Sequence, residues 1–415
     1  MVDTADRFVG SAQEQGVLMR RGDRYTGSSV EVDGRELKNF GSCGYLGLEI
    51  RRELRRGAAE AAERYGTQLP YSRAYLEHPL YQELEASLRA MTERPALVAP
   101  STTLAHFAAL PVLVRDGDVV LMDQFAHASL HAATALLRDT PIELIRHQRL
   151  DQLEARLRVL APSHRHLWFV CDGIYSMRGD FAPFDDLRAL LDRYPALHLY
   201  IDDAHATSWF GKSGRGAALT ALGTHERVVV ALSLNKAFSA AGGALFLPEE
   251  RLVQRIRRCG GPMLFSGPIQ PPMLGAGVAS ARLHLEPAFA NLQAELKLRI
   301  EYAAAAIDRA GIPRESHDTT PIFMLPCDSS GIAIDVVRRL REHGFYTCPV
   351  VFPAVPVNQP AVRYTITRHN SLDDIDAFVS ALTEVFHEAN AHPDPIRLPG
   401  VPAAEATAPV ARLGS

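Results

Sequence analysis

Three things are missing from this sequence, and each absence removes a class of protein. No stretch reaches the roughly 18 apolar residues of a membrane-spanning helix, and the polar first ten residues lack the apolar centre of a secretion signal. The five cysteines (Cys43, Cys171, Cys259, Cys327, Cys348) are scattered and show no CxxC spacing. That pattern argues against a disulfide framework or a zinc site, and for a reduced, cytoplasmic compartment. Lys and Arg total 44 against 48 Asp and Glu, and a net charge of −4 gives nucleic acid or an anionic membrane no electrostatic footing. There is no internal repeat.

What is present reads as an α/β chain. With 415 residues the length prior is two to three domains, and 47% hydrophobic residues supply an ordinary core. Residues 1–50 read as an N-terminal arm of short strands, with Asp33-Gly34 as a hairpin turn. A helical pattern follows at 51–64. Short apolar runs at 118–122, 166–171, 197–201, 227–232 and 244–247 then alternate with helical patterns at 105–113, 150–160, 184–192 and 249–258. Continuous apolar strands separated by helices predict a mostly parallel sheet covered on both faces, with ligands at the carboxyl ends of the strands. Residues 271–310 predict a long helix broken at Pro287. The domain expectation is a large domain over 51–285, a small α+β domain over 286–390, and a disordered tail over 391–415, where the proline-rich composition forms no core.

Chemistry concentrates at the ends of these strands. Asp202-Asp203-Ala204-His205 closes one strand, Ser233-Leu234-Asn235-Lys236 follows another, and Ser101-Thr102-Thr103 opens a helix. Pyridoxal phosphate (PLP) needs such a set: a lysine for the imine, a carboxylate against the pyridine nitrogen, a helix N-terminus for the phosphate, and a flat side chain over the ring. Lys236 suits the first role and Asp202 the second. Thr102, Thr103 and Ser233 suit the third, His127 the stack, and His205 the phenolate oxygen. Each has a plainer reading by itself, as a solvated lysine, a helix cap or a structural histidine. Their order along the chain is what favours the cofactor.

Five motifs sharpen this. Asn39-Phe40-Gly41-Ser42-Cys43-Gly44-Tyr45-Leu46-Gly47-Leu48 resembles NFxSNDYLGL, and 123–129 resembles DxxxHAS. Asp172-Gly173-Ile174-Tyr175-Ser176-Met177-Arg178-Gly179-Asp180 resembles EGVFSMDGD. Residues 202–216 resemble DEAHxTGxxGxxGRG, and 233–243 resemble TLSKAFGxxGG. Over about 39–382 the chain resembles the α-oxoamine synthases, which include aminooxononanoate synthase, aminolevulinate synthase, aminoketobutyrate ligase and serine palmitoyltransferase.

The resemblance implies a fold-type I, aspartate aminotransferase-like PLP enzyme. It would condense an α-amino acid with an acyl thioester, usually with loss of CO2, as a homodimer with shared active sites. It implies Lys236 as the imine lysine, Asp202 on the pyridine nitrogen, His127 on the ring face, and His205 and Ser176 near the ring oxygen. Thr102, Thr103 and Ser233 fall at the phosphate, and Arg363 at the amino-acid carboxylate. Tyr45, Ser72 and Arg73 complete the substrate side. No metal is expected.

Departures cluster on that substrate side. The glycine-rich stretch before Ser72-Arg73 is Gly66-Thr67-Gln68-Leu69-Pro70-Tyr71, the family's Asn of the phosphate-loop helix is His106, and RPPTVP has become Val351-Phe352-Pro353-Ala354-Val355-Pro356. They keep two alternatives open: a PLP enzyme that forms C–C bonds, decarboxylates or transaminates with a partner other than a thioester, and a non-catalytic partner subunit.

Overall fold

The structure is a computed structural model and describes residues 2–391. The described chain divides into two compact units, one of residues 46–176 and 181–293, the other of residues 2–45, 177–180 and 294–391. The tail read from the sequence lies, after Ala391, outside the described residues.

The first unit is built on a seven-stranded sheet. Its strands in chain order are β1 Ala96–Ala99, β2 Val119–Asp123, β3 Ile142–Ile145, β4 Leu167–Asp172, β5 Leu197–Asp202, β6 Val228–Ser233 and β7 Gly243–Phe246. The spatial order is β1-β7-β6-β5-β4-β2-β3. Pairings are parallel from β6 to β3, while β7 runs antiparallel to both β6 and β1. The expected mostly parallel sheet is therefore present. Alternation in the strands explains the two covered faces: Leu167, Phe169 and Cys171 enter one apolar cluster, Trp168 and Val170 the other.

Helices cover this sheet. Pro271–Leu285 and Arg52–Tyr65 cross where Gly275 meets Gly57, and a Cβ on Gly275 would stand 2.2 Å from the Gly57 carbonyl oxygen, so neither position admits a side chain. The long helix expected over 271–310 is two, Pro271–Leu285 and Phe289–Arg309, with Pro287 in the break.

Several elements were not legible in the sequence, five of them longer or at the edge of a sheet. Helices Pro79–Thr92 and Ala128–Thr134 and strands β1 and β3 belong to the sheet unit. In β3, Ile142 and Leu144 face outward from an edge, so the apolar run bears no pattern of burial. The fifth is helix Val2–Glu14 in the second unit, where only strands were expected; it buries only Phe8, Ser11 and Ala12 on an otherwise polar surface.

The second unit also holds two small sheets. One pairs Gly22–Tyr25, Ser29–Val32, Arg35–Asn39 and Phe345–Tyr346, and the expected turn at Asp33-Gly34 is there, both residues with positive φ. The other pairs Ile322–Pro326, Ala361–Thr365 and Cys348–Val350. All five cysteines are unbridged, and no helix among the described residues is long and apolar enough to cross a membrane.

His284 is wholly buried between Phe238 and Phe289, its Nδ1 2.7 Å from the Ser280 carbonyl. Burial pulls its pKa down to about 4, so the folded ring is neutral while an unfolded one titrates near 6.5. The unfolded chain thus binds the extra proton between these values, and stability falls as pH drops from about 6.5 to 4. The loss amounts to roughly 3 kcal/mol at about 1.4 kcal/mol per unit. His284→Phe should flatten this limb in urea unfolding measured at pH 7, 6, 5 and 4. An unchanged slope would assign the acid sensitivity elsewhere.

Candidate active site

The carboxyl ends of the parallel strands gather the polar residues. Asp172 and Asp202 end β4 and β5 as direct neighbours in register. Two buried carboxylates this close do not both ionise. Burial and the neighbouring Asp202 push Asp172 well above the usual range, against the His127 N–H that it accepts at 2.9 Å, and it stands as the neutral acid. Burial also works against ionisation of Asp202. The charge and hydrogen bond of His106, with Lys236 and His127, outweigh it and hold Asp202 at about 2. Its Oδ2 lies 2.9 Å from His106 Nε2, and its Oδ1 accepts the Ala204 N–H at 3.1 Å.

Lys236 follows β6, half-buried, with Nζ 2.9 Å from Nε2 of His205. His205 comes three residues after Asp202 and is itself buried. His127 caps the helix Ala128–Thr134, its Nδ1 accepting the Ser129 N–H. Burial is the main cause that lowers its pKa, which leaves a neutral flat ring in the field of Asp202 and Lys236. Ser176 is half-buried in the loop after β4.

The anion end forms where β7 lies between β1 and β6. Ser101 caps the helix Thr102–Leu113 by accepting the Leu104 N–H at 3.1 Å. A Cβ on Gly243 would come within 2.5 Å of the Thr102 nitrogen, so glycine is what lets that helix start sit against the sheet. Thr102 donates its hydroxyl to the Leu232 carbonyl at 3.3 Å, and the first turn of any helix carries N–H groups without intrahelical partners. Thr103 is exposed at the same helix start. Ser233 accepts the Asn235 N–H at 3.2 Å and keeps its own proton to donate.

Lys236, Asp202, His205, His127, Thr102, Thr103, Ser176 and Ser233 thus share one unit, at or just beyond the same strand ends. Arg363 and Tyr45 belong to the other. Arg363 sits in the middle of Ala361–Thr365 opposite Met324 and Cys348, buried, with Nη2 3.6 Å from Cys43 Sγ. Burial opposes its charge, but the Cys43, Tyr45 and Cys348 groups keep it protonated. Tyr45 is wholly buried against this arginine and orients it.

Arg73 and Ser72, expected on the substrate side, have internal partners here. Arg73 reaches the Val98 carbonyl at 2.5 Å and Glu77 and Glu85 at 2.7 and 2.8 Å, over the Tyr81 ring. Arg257 joins the same two glutamates. Ser72 donates to the Leu264 carbonyl. A fork already engaged with internal acceptors is a structural staple. His106 and Asp172 are the residues whose part the sequence reading missed. The signal for His106 was its departure from the family's Asn, and for Asp172 an acid at the end of an apolar strand.

Comparison with known proteins agrees with this geometry. The family profile described as "Aminotransferase class I and II" matches residues 39–382. The 8-amino-7-oxononanoate synthase of Maricaulis maris is 32% identical over 385 residues, covering 90% of this chain and 94% of that protein. The enzyme of the same name from Thermoanaerobacter pseudethanolicus is 29% identical over 362 residues, covering 86% and 90%. Among solved structures, the serine palmitoyltransferase of S. paucimobilis superposes with a TM-score of 0.86 at 20% identity, covering 94% of this chain and 99% of that one. The 8-amino-7-oxononanoate synthase of Francisella tularensis gives 0.69 at 21% identity, covering 85% and 98%. The chain belongs to the class I and II aminotransferase family and, within it, to the α-oxoamine synthases, fold-type I enzymes that depend on pyridoxal phosphate.

Proposed function

We propose that this chain joins an α-amino acid to an acyl thioester, carried on coenzyme A or a carrier protein, and releases CO2, free thiol and an α-amino ketone. The observation that carries this reading is the pairing, at the ends of neighbouring strands, of Lys236 beside His205 with a buried, ionised Asp202.

The residues fit PLP. An ionised carboxylate offers four lone-pair positions, and His106 and Ala204 use two of those on Asp202, which leaves room for the N–H of a pyridine ring. Lys236 would supply the amine that holds the cofactor. The start of the helix Thr102–Leu113, with Ser233, supplies the donors for the phosphate. Bound PLP provides an electron sink for the pair left when the substrate α-carbon loses its proton.

The chain's own groups do the rest. Lys236 takes the α-proton, and the hydrogen bond to His205 orients Nζ for that transfer. His127, neutral through burial, would lie against the cofactor ring without adding charge. Arg363 grips the amino-acid carboxylate with its planar fork. A second reading keeps these roles and replaces the thioester by another electrophile. It is favoured by the internal pairing of Arg73, whose two terminal nitrogens are engaged with Val98, Glu77 and Glu85.

We also infer that a second copy of the chain covers the face around Tyr75 and Phe265. These side chains are 86% and 88% exposed, with Tyr71 and Leu76 nearby, and the neighbouring cleft of about 500 Å³ is lined by Leu69, Pro70, Leu264 and Pro268. Sedimentation should give a dimer, and Phe265→Glu with Tyr75→Glu should weaken it. A fully active monomer would discard the shared-site reading.

Lys236→Ala should lower turnover by about a hundred- to ten-thousandfold and remove the visible absorbance of the enzyme. Thiol release measured over a panel of amino acids and acyl thioesters distinguishes the two electrophiles: turnover without thioester or thiol sinks the first. Arg363→Ala should raise KM for the amino acid by roughly 10- to 100-fold, the worth of a charged hydrogen bond of about 1.5–3 kcal/mol. Arg363→Lys should restore only part of it, and an unchanged KM would move the carboxylate site elsewhere.

A further inference from the structure

His106 is completely buried in the helix whose first turn forms the anion end of the site. Its two ring nitrogens have different partners. Nε2 lies 2.9 Å from Asp202 Oδ2, and Nδ1 lies 2.9 Å from the hydroxyl of Tyr200, which is also fully buried. Tyr200 and Asp202 are two residues apart in β5, so their side chains leave the same face of the strand, where His106 bridges them.

Chemistry fixes the direction of this chain of hydrogen bonds. An ionised carboxylate only accepts, so the proton must be on Nε2. Nδ1 is then served by Tyr200, whose hydroxyl donates to a neutral ring and accepts from a charged one. In either charge state the Nε2–H stays aimed at Asp202. The arrangement has the logic of a catalytic triad, in which one partner holds an imidazole in the tautomer that another partner needs. The other ionisable groups facing Asp202 do not duplicate it: Asp172 is the neutral acid, His127 is held neutral by burial, and Lys236 acts through its charge.

We propose that His106 is a positioning residue for the cofactor ring: by donating Nε2–H to Asp202, with Tyr200 holding its orientation, it keeps Asp202 a carboxylate and so keeps the ring nitrogen of bound PLP protonated. The balance is between two forms of one pair, ring N–H⁺ with carboxylate or bare ring nitrogen with carboxylic acid. A donor behind the carboxylate favours the first. The protonated ring is the stronger electron sink, so the effect belongs to kcat for α-proton removal and not to amino-acid binding.

This inference rests on the function proposed above, and the test separates the two. Wild type, His106→Gln, His106→Leu and Tyr200→Phe are loaded with PLP labelled with ¹⁵N in the ring. The ¹⁵N chemical shift, which distinguishes a protonated from a bare ring nitrogen, is followed from pH 6 to 9. Wild type and His106→Gln, whose amide reaches as far as Nε2, should show a protonated nitrogen throughout. His106→Leu should show the bare form. Tyr200→Phe should lose the proton at lower pH than wild type, with kcat down roughly 10-fold and amino-acid KM unchanged. A wild type that takes up no PLP overturns the proposed function and this inference with it. A protonated nitrogen in His106→Leu overturns the inference alone. If His106→Leu does not fold, Tyr200→Phe decides: it removes one oxygen from a retained ring, and a wild-type titration and kcat would reject the relay.

Discussion

An ionised carboxylate buried at the end of a strand is expensive, and the sheet unit is arranged around keeping one there. Asp202 would protonate if burial acted alone. Two residues from separate segments do most to prevent this: His106 from the helix after β1 and Lys236 from the loop after β6. Its neighbour Asp172 gives up its own charge, which removes the repulsion that two such groups in register would create. The parallel strands matter here because they bring all these chain segments out at one edge.

The proposed substrate side is organised differently. Arg363 lies in a three-stranded sheet of the second unit, held by Cys43 and Tyr45 from the motif near the N-terminus and by Cys348 on the neighbouring strand. The thiol and phenol groups beside it orient its fork. Arg73, by contrast, is held by the carboxylates Glu77 and Glu85 and contributes to the shape of segment 67–79. Two arginines that look equally available in the sequence have opposite fates, decided by residues 4 to 12 positions further along in one case and some 320 away in the other.

That contrast shows where the sequence was readable. Strands β2, β4, β5, β6 and β7 are continuous apolar runs buried on both faces, so their pattern and their function coincide. Pro287 announced its break because a missing N–H acts locally. Lys236, Asp202 and His205 could be named because motif order specifies them. Edge strand β3 and helix Val2–Glu14 were not visible, since each buries little and its pattern differs little from that of a loop. The protonation states of Asp172 and Asp202 could not be read at all: they depend on which strands become neighbours, and β4 and β5 are joined only in the folded sheet.

Strand β7 has one more consequence. It is the antiparallel element between β1 and β6, and among the described residues β1 has no other neighbour in the sheet. A growing chain therefore emerges with Ala96–Ala99 unpaired until Gly243–Phe246 has been synthesised, long after the helix that follows β1. The anion end of the site rests on Gly243. Cofactor capture is thus deferred to a late, high-contact-order step of folding, after the Lys236 loop has already been made. The nascent protein cannot hold the phosphate before it has the lysine to which the cofactor will be bonded.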